Sequence, residues 1–394
     1  MTRHTRRHLL AIPALLAALL VLPACDSGGG EDPDPPPSPD QIFFGVNYTQ
    51  LFAPPSDAEV AAVRTDWSAR NPSSSNENLA ASVDLGNATL HVVEHTVTAT
   101  GGGSITHYGL VHVPDGAADL PVVVVHHGGD NGISATSFLQ TAVLFDLAED
   151  VVAIAPVYRS EPIPTDGVAG LGQTYTATGG PSPWDYDVDD SIAFLSGVLS
   201  VFGAETDEDR IAAIGFSRGG NVATLQSIRD DRIDAVVDYF GPTDFYNSAT
   251  EVLATGLLTG SPAALSLPGG QYLLGNVLDP LRNADGTANP NADYATARLE
   301  VVRRSSSVFQ EDLPDTQVHH HTQDPVVPIV FSQAFADAAN EAGGGSFDFF
   351  TYNGASNGSS FHSPTGFPES IPVAIAFLQG QLAVGSAAPL AIAE

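Results

Sequence analysis

A serine between glycines, in the segment GFSRGG at residues 215–220, is the strongest candidate for a reactive group. The segment follows the apolar run RIAAI and precedes NVATLQSIRDD, so Ser217 lies where a predicted buried strand passes into a predicted helix. A strand-to-helix turn of this kind needs glycine-sized neighbours and projects the serine oxygen into a cleft. The pattern therefore predicts that Ser217 is a nucleophile for acyl transfer, near a helix N-terminus that favours negative charge.

A second match to the same G-x-S-x-G pattern occurs in GASNG at residues 354–358. Ser356 also follows a predicted strand, but a loop rich in glycine, serine and asparagine comes after it instead of a helix. Because the nucleophile needs the helix behind it, this context favours Ser217 over Ser356.

A serine hydroxyl becomes a good nucleophile when a base lies within hydrogen-bond reach and an acid orients that base. Asp324 follows the predicted strand DTQVHHHT, where a loop would present it at the carboxyl edge of a sheet. His362 lies between the last predicted strand and the last predicted helix, and it is the only histidine after Asp324. The order Ser217, Asp324, His362 is one of the orders in which such triads occur along a chain.

The oxyanion that forms during acyl transfer needs backbone N–H donors. One predicted donor is the N–H of Arg218, directly after the nucleophile. The other is expected from Gly128 or Gly129 in the loop HHGGDNG, where small residues let the backbone approach a substrate, and the sequence does not choose between them. The side chains expected to line the substrate site are those of His127, Asp130 and Tyr158.

Other polar clusters could suggest metal binding or contact with substrate, but structural roles are the favoured interpretations. Consecutive strand residues point to opposite faces, so the run His319, His320 and His321 is predicted to pack the strand or line the site rather than hold a metal. Arg159 is predicted to form an ion pair, and His126 to be structural. The acids of WDYDVDD lack the glycine and closing glutamate of a calcium loop, and they are expected to complement a helix dipole. These acids are Asp185, Asp187, Asp189 and Asp190.

The elements that must position these residues alternate between strand and helix. Continuous apolar runs at 120–129 and 151–159 are typical of parallel strands that helices cover on both faces. Two earlier strands, 89–97 and 107–116, are expected to pair antiparallel. The pattern predicts an α/β fold with a mostly parallel sheet of eight strands. Residues 242–312 are too many for one strand–helix connection, and they are predicted to be a helical cap insertion over the site.

The N-terminus predicts a signal peptide, because MTRHTRRH is basic and residues 9–22 are apolar but too short for a membrane span of about 20 residues. The segment LPAC resembles a bacterial lipobox, which implies cleavage before Cys25 and lipidation of its thiol. TRRHLLA loosely resembles a twin-arginine signal, and the export route stays open. Cys25 is the only cysteine, so no internal disulfide is expected in the exported chain.

These features divide the chain into consecutive segments. After Cys25 the chain is rich in glycine, proline and acid, which cannot bury apolar surface and predict a disordered tether. The predicted segments are the signal peptide (1–24), the lipidated cysteine and tether (25–41), an N-terminal extension (42–88), the α/β domain (89–383) with its insertion (242–312), and a C-terminal tail (384–394).

The charge of the chain restricts its partners. All 14 basic residues are arginines, three of them in the signal segment, and all 46 acids follow it, so the mature chain carries 11 minus 46, or −35. This charge disfavours nucleic acid and anionic lipid surfaces as partners. It suits solubility at high salt, where self-repulsion is screened, as in a halophilic or marine source.

Several segments resemble the α/β-hydrolase superfamily, in particular its prolyl-oligopeptidase and dienelactone-hydrolase branches. VVVVHHGG is similar to the strand that ends in HGG, APVYRSEP to the P-x-Y-R-G segment, and GFSRGG to the G-x-S-x-G-G elbow. RSSSVFQEDLPDTQVHHHTQDPVVPIVFSQAF is similar to the block S-P…P…HGxxDxxVPxxxS. The resemblance covers residues 89–383 and implies a Ser–His–Asp triad that needs no cofactor. Two positions depart from it: His321 replaces a glycine before the triad acid, and Asp130 follows HGG in place of proline or glycine.

These features predict an exported, lipid-anchored, monomeric serine hydrolase that cleaves a small-molecule carboxylic ester, with no metal. Cleavage of short peptides is the alternative, but residues 42–88 are too few for the propeller of the oligopeptidases that the chain resembles. A non-catalytic surface lipoprotein that binds a ligand is the alternative of another class.

Overall fold

The computed structural model describes residues 40–98, 104–342 and 345–384. The predicted signal peptide, Cys25 with the tether up to residue 39, and the tail from residue 385 onward lie outside these ranges. Among the described residues, no helix is long and apolar enough to cross a membrane. The expectations about export and lipidation therefore stay predictions.

Nine strands form one central sheet. Their bounds are β1 (Ser74–Asp84), β2 (Ala88–Thr98), β3 (Ser104–Pro114), β4 (Leu120–His126), β5 (Val152–Pro156), β6 (Thr206–Phe216), β7 (Ile233–Tyr239), β8 (Asp315–His321) and β9 (Phe347–Tyr352). Hydrogen-bonded neighbours follow the order β9-β8-β7-β6-β4-β5-β3-β2-β1. The six strands from β9 to β5 are parallel, and β3, β2 and β1 continue the sheet antiparallel. The alternation of strand and helix that predicted a mostly parallel α/β sheet is confirmed.

The prediction of eight strands was wrong by one, because β1 lies inside the segment assigned to the N-terminal extension. Its sequence, SSNENLAASVD, shows no regular apolar alternation, and none of its residues is fully buried. β1 pairs only with β2, with Leu79 opposite Val93. An edge strand gains its hydrogen bonds from one neighbour and needs no buried face, so its apolar pattern is weak.

Within the described residues, eight helices of nine or more residues accompany the sheet. Their bounds are α1 (Asp57–Arg70), α2 (Ala135–Leu144), α3 (Tyr186–Val201), α4 (Arg218–Arg229), α5 (Ser248–Leu258), α6 (Tyr294–Val302), α7 (Val330–Ala342) and α8 (Ser370–Gln381). Side-chain caps explain where two of them begin. Ser56 and Glu59 form a reciprocal capping box on α1, and Ser134 accepts the N–H of Ser137 at the start of α2.

Short elements complete the chain. Two-residue strands pair as Ile42–Phe43 with Val46–Asn47 and as Pro162–Ile163 with Tyr175–Thr176. Single helical turns occur at Tyr48–Leu51, Pro262–Leu265, Gly270–Leu273, Leu274–Leu278, Asp279–Leu281, Ser306–Val308, Gln310–Asp312 and Pro364–Gly366.

The valine run of β4 shows how the core is built on both faces of the sheet. Val123 and Val125 pack into one apolar cluster with α2 and α8, whereas Val122 and Val124 pack into another with α3. All four valines are at most 1% exposed. Because successive strand residues point to opposite faces, a continuous apolar run is what a doubly covered strand requires.

The insertion predicted as a cap, residues 242–312, contains α5 and α6 and shares an apolar cluster with the N-terminal extension. Trp67 of α1 packs on Phe309 with ring centroids 4.6 Å apart. Arg298 of α6 binds Glu59 of α1 through two hydrogen bonds of 2.6 and 2.9 Å. This partner, with the nearby Ser56 cap, lowers the pKa of Glu59 to about 2. The extension and the insertion thus stabilise each other.

Candidate active site

Ser217 lies between β6 and α4, at a turn whose backbone is strained. Its φ of 56° and ψ of −124° are rarely adopted by non-glycine residues, and such a conformation costs about 1–3 kcal/mol. Hydrogen bonds hold the turn on both sides. The Ser217 N–H donates to Tyr239 O at the end of β7, and the Gly220 N–H donates to Ser217 O, each at 2.9 Å. Strain that the surroundings enforce in this way is typical of functional positions.

The glycines around Ser217 are required by close backbone approach. A Cβ atom on Gly215 would lie 2.0 Å from Gly219 O, and one on Gly219 would lie 2.3 Å from His126 O. A Cβ atom on Gly220 would lie 2.0 Å from a carboxylate oxygen of Asp238. The spacing of GFSRGG is therefore the spacing that brings β6, α4 and the end of β4 into contact.

His362 and Asp324 form a hydrogen-bonded pair close to this turn. His362 Nδ1 lies 2.8 Å from Asp324 Oδ2, and the Asp324 side chain has no exposed surface. The other carboxylate oxygen, Oδ1, accepts the N–H groups of Val326 at 2.8 Å and Val327 at 3.0 Å. An acid fixed by two backbone donors can hold a histidine in one orientation.

The end of β7 contacts both the serine and the Asp324–His362 pair. Phe240 follows Tyr239, the residue that accepts the Ser217 N–H, and its ring lies 4.5 Å from the imidazole of His362. No hydrogen bond joins the Ser217 hydroxyl to His362 in the part of the chain that the structure describes. Such bonds are often long before substrate binds, so the arrangement is compatible with proton transfer between them.

Ser356, the other serine of a G-x-S-x-G match, lies in an exposed loop. Its hydroxyl donates to Ser359 O at 3.1 Å and accepts the Gly358 N–H at 3.0 Å. These local bonds describe a turn-forming serine.

The loop after β4 lies directly against Ser217, the candidate nucleophile. A Cβ atom on Gly128 would lie 2.9 Å from Phe216 O and 3.0 Å from the Cβ of Ser217. Gly129 has a φ of 79°, which favours glycine. Both glycines thus suit a loop whose N–H groups face the reacting carbonyl, and the choice between them as donor stays open.

Of the three side chains expected to line the substrate site, Tyr158 lies elsewhere. It is fully buried behind the loop, and its hydroxyl donates to His127 O at 3.2 Å, so we correct that expectation. His127 packs on the Tyr158 ring at 4.2 Å, and burial lowers its pKa to about 3. The neutral imidazole then donates from Nδ1 to Gly128 O, 3.1 Å away. Asp130 is exposed.

A cavity of about 260 Å³ opens beside the loop. Gly128 and Phe216, which both adjoin Ser217, form part of its wall. The other residues of the wall are Val125, His127, Gly132, Ile133, Ser134, Ser137 and Thr141. A larger cavity of about 400 Å³ lies on another side of α2, and none of the candidate catalytic residues lines it.

The three consecutive histidines serve packing and the acid loop. His319 stacks between Tyr239 and Phe350, and His321 stacks on Phe361. His320 is buried, which lowers its pKa to about 4, and its Nε2–H donates to Val327 O at 2.9 Å. His320 therefore holds the loop that presents Asp324. Within the described residues no group of His, Cys, Asp or Glu could hold a metal ion.

The acids at the start of α3 have a different role from the one predicted. They are buried, and each binds an arginine from elsewhere in the chain rather than only the helix dipole. Arg159 forms a two-nitrogen contact with Asp190, as its predicted ion pair requires. Two residues that sequence reasoning missed belong to the same layer: Glu161, and the side chain of Arg218, whose backbone alone was considered. The remaining pairs are Arg70 with Asp185 and Asp189, Arg303 with Asp185, Arg229 with Asp189, and Arg218 with Asp187 and Glu161.

Three solved structures that are similar to this chain in fold, at low sequence identity, are named as esterases. An acetyl xylan esterase from a Paenibacillus species is 18% identical and has a TM-score of 0.52, with 85% of this chain and 99% of that chain covered. Acetyl xylan esterase 1 from a Thermoanaerobacterium species is 16% identical, with a TM-score of 0.52 and coverage of 82% and 93%. A rice cell wall degrading esterase, LipA, from Xanthomonas oryzae is 14% identical, with a TM-score of 0.51 and coverage of 79% and 98%. No family model and no curated protein matches the chain in sequence. The chain therefore has the α/β-hydrolase fold.

Proposed function

We propose that this chain is a serine hydrolase that cleaves carboxylic esters through an acyl-enzyme. The observation that carries the proposal is the doubly anchored, buried carboxylate of Asp324 bonded to His362, together with a serine held in a strained elbow. Neither feature improves packing by itself, because one buries a carboxylate and the other strains the backbone.

In the proposed reaction Ser217 Oγ attacks the ester carbonyl while His362 Nε2 takes the hydroxyl proton. Asp324 accepts the Nδ1–H of His362, keeps the imidazole in the tautomer that can act as a base, and stabilises the imidazolium. The N–H of Arg218 and that of Gly128 or Gly129 donate to the oxyanion. His362 then gives its proton to the leaving alkoxide. A water deprotonated by His362 attacks the acyl group, and the serine leaves with its proton restored.

An ester is favoured over a peptide by what surrounds the triad. The extension that precedes β2 consists of a short hairpin, α1 and β1, and contains no propeller blade within its described residues. The cavity beside Gly128, at about 260 Å³, suits a small group on the substrate. An alkoxide also leaves more readily than an amine. The similar structures described above are named as esterases, which supports an ester as the substrate class.

Labelling with a fluorophosphonate probe tests the proposal and the choice of serine. Ser217→Ala should abolish labelling and hydrolysis of p-nitrophenyl butyrate, because the elbow presents only this hydroxyl to the oxyanion donors. Ser356→Ala is the matched control, and we expect it to retain both. Labelling that survives the first change and vanishes with the second would overturn the assignment.

The substrate class needs an unactivated bond, since activated esters are easy substrates. We expect hydrolysis of a natural ester such as an acetylated sugar or a short-chain triglyceride, and no cleavage of dipeptides or tripeptides. Efficient cleavage of an unactivated peptide with natural esters inert would assign the chain to the peptidases. A wild-type chain that neither binds the probe nor turns over any ester would be a non-catalytic binding module.

A further inference from the structure

The side chain of Arg218, the residue after the proposed nucleophile, is 1% exposed and donates four hydrogen bonds. Its Nε and Nη2 atoms donate to the two carboxylate oxygens of Asp187 at 2.9 and 2.8 Å. Its Nη1 atom donates to Glu161 Oε1 at 2.6 Å and to Gly129 O at 3.1 Å. The guanidinium plane lies 4.5 Å from the ring centre of Tyr158. Arg218 thus connects the elbow, α3 and the loop after β4.

Glu161 ties the other end of the same loop. Its Oε2 atom accepts the Gly132 N–H at 2.9 Å, while Oε1 binds Arg218. The ion pair of Arg218 and Glu161 therefore holds the carbonyl of Gly129 at one end of the loop and the N–H of Gly132 at the other. Between these points lie Asp130 and Asn131, whose backbones make none of these contacts.

The loop needs such a restraint because its composition gives it little rigidity. Gly129 and Gly132 both have positive φ, and a Cβ atom on Gly129 would meet nothing within 4 Å. Glycine loses more conformational freedom on ordering than any other residue, so this loop would otherwise sample many conformations. Oxyanion stabilisation requires donors that are already in place before the charge develops.

Burying the charged groups of Arg218, Glu161 and Asp187 also costs free energy. Burial raises the pKa of Glu161 to about 7 and raises that of Asp187 above its ordinary value, although Arg218 opposes both shifts. Buried ion groups often stabilise a protein less than apolar residues of the same size. The arrangement is therefore better explained by what it positions than by its contribution to the free energy of unfolding.

We infer that the Arg218 side chain, together with Glu161, is a positioning element for the oxyanion loop. Arg218 then supplies one oxyanion donor from its own backbone and fixes, through its guanidinium, the loop that carries the second. The inference rests on the proposed hydrolase function. It assigns to the residue after the nucleophile a side-chain role in addition to its backbone role.

Glu161→Gln is the first test variant. Asp187 and Arg218 remain as a neutral pair, and the glutamine oxygen can still accept the Gly132 N–H, but its amide group faces the Arg218 donors. We expect kcat for p-nitrophenyl butyrate to fall about tenfold or more with KM within about threefold, because a misplaced donor weakens only the transition state. The inhibition constant of a trifluoromethyl ketone, whose adduct carries an oxyanion, should rise by about the same factor as kcat/KM falls.

Arg218→Lys is the second variant, since lysine keeps the charge and loses the fork that reaches Asp187, Glu161 and Gly129 together. Arg159→Lys is the matched control. Arg159 is 4% exposed, pairs with Asp190, and lies one residue from Tyr158, but its guanidinium makes no hydrogen bond to the loop among the described residues. Both lysine variants should lower Tm by similar amounts. Only Arg218→Lys should lower kcat per active site counted by burst titration.

Hydrogen exchange of the peptide covering residues 127–133 tests this inference separately from the proposed function, because it measures the order of the loop and not activity. We expect faster exchange there in Glu161→Gln and in Arg218→Lys, and wild-type exchange in Arg159→Lys. Unchanged exchange in the first two variants would overturn the inference, whatever their activity. Faster exchange with unchanged kcat would overturn it too, because the loop order would not matter to the oxyanion. If the wild type hydrolyses no ester and takes no probe, the proposed function fails and this role for Arg218 fails with it.

Discussion

Replacing Asp324 by asparagine keeps the size of the side chain and changes only which atoms donate. Asp324 Oδ1 accepts the N–H groups of Val326 and Val327, so the asparagine oxygen must occupy this position, since an NH2 group there would face two donors. The NH2 group then lies at the Oδ2 position, 2.8 Å from His362 Nδ1, and donates to it. An imidazole that accepts at Nδ1 carries its proton on Nε2. In that tautomer His362 cannot take the proton of Ser217.

The size of the effect follows from this tautomer. An amide in place of the acid lowers kcat of such a triad by about 10⁴-fold, which is about 5.4 kcal/mol at about 1.36 kcal/mol per factor of ten. KM should stay within about threefold, because the side chain of Asp324 has no exposed surface with which to contact substrate. Tm should change little, since the oxygen still accepts both backbone N–H groups.

The assay is kcat and KM for p-nitrophenyl butyrate between about pH 6 and pH 9, which brackets the titration of an ordinary histidine. Asp348→Asn is the control, because Asp348 is exposed on the adjacent strand β9 and the same charge is removed. We expect wild-type kinetics from the control. A loss below tenfold in Asp324→Asn, with Ser217→Ala inactive and both variants folded, would refute the role of Asp324 as the orienting acid.

Three further predictions concern the anchor and the stability of the chain. Cys25→Ser should move the protein from the membrane fraction to the soluble fraction, because the thiol is the predicted attachment point of the lipid; unchanged partition would contradict a lipoprotein. Burial raises the pKa of Asp238 to about 7, so this carboxyl contributes stability that is lost as pH rises from about 4 to about 7. The Tm of the wild type should therefore fall relative to that of Asp238→Asn over this range, and a constant difference between them would count against it. With −35 charges on the chain after the predicted signal peptide, Tm should rise between low and molar salt as self-repulsion is screened, and a flat or falling Tm would argue the opposite.

The sequence predicted the central elements because their residues are buried on both sides. The run from Val122 to Val125 and the run before Ser217 are continuous and apolar, and each lies in a strand, although the first strand ends three residues before its predicted end and the second begins at Thr206, ahead of its apolar run. The edge strand β1 escaped prediction because solvent covers much of it and its polar residues carry no period of two. A strand that is buried on both faces has a continuous apolar sequence that can be recognised, whereas a partly exposed edge strand has no such pattern.

The candidate site divides in the same way. Ser217, Asp324 and His362 each follow a strand, so their placement at one edge of a parallel sheet could be read along the chain. Asp324 lies in the loop after β8 and His362 in the loop after β9. The hydrogen bond between them is therefore consistent with the order of elements predicted from the sequence. The backbone N–H groups that orient Asp324 lie only two and three residues away, but their direction depends on how the loop folds.

The ion pairs around the site could not be predicted. Arg218 pairs with Asp187 and Glu161, and Arg70 pairs with Asp185, across more than thirty positions of chain in each case. With 14 arginines and 46 acids in the chain, the sequence offers every arginine many equivalent partners. Charge has no periodicity that would select one partner, and only the packing of α1, α3, α4 and the loops after β4 and β5 brings these groups together.

The sequence by itself determined the strand–helix order, the elbow glycines and the chain order of Ser217, Asp324 and His362. Each of these depends on local geometry or on burial, and both restrict the residue types at adjacent positions of the sequence. The tertiary structure decided which carboxylate each arginine binds, that Tyr158 and His127 pack together beside the loop after β4, and that this loop is hydrogen-bonded to Arg218. Those contacts join residues that are distant in the chain, and their energies depend on the burial and orientation of groups that only the folded protein brings together.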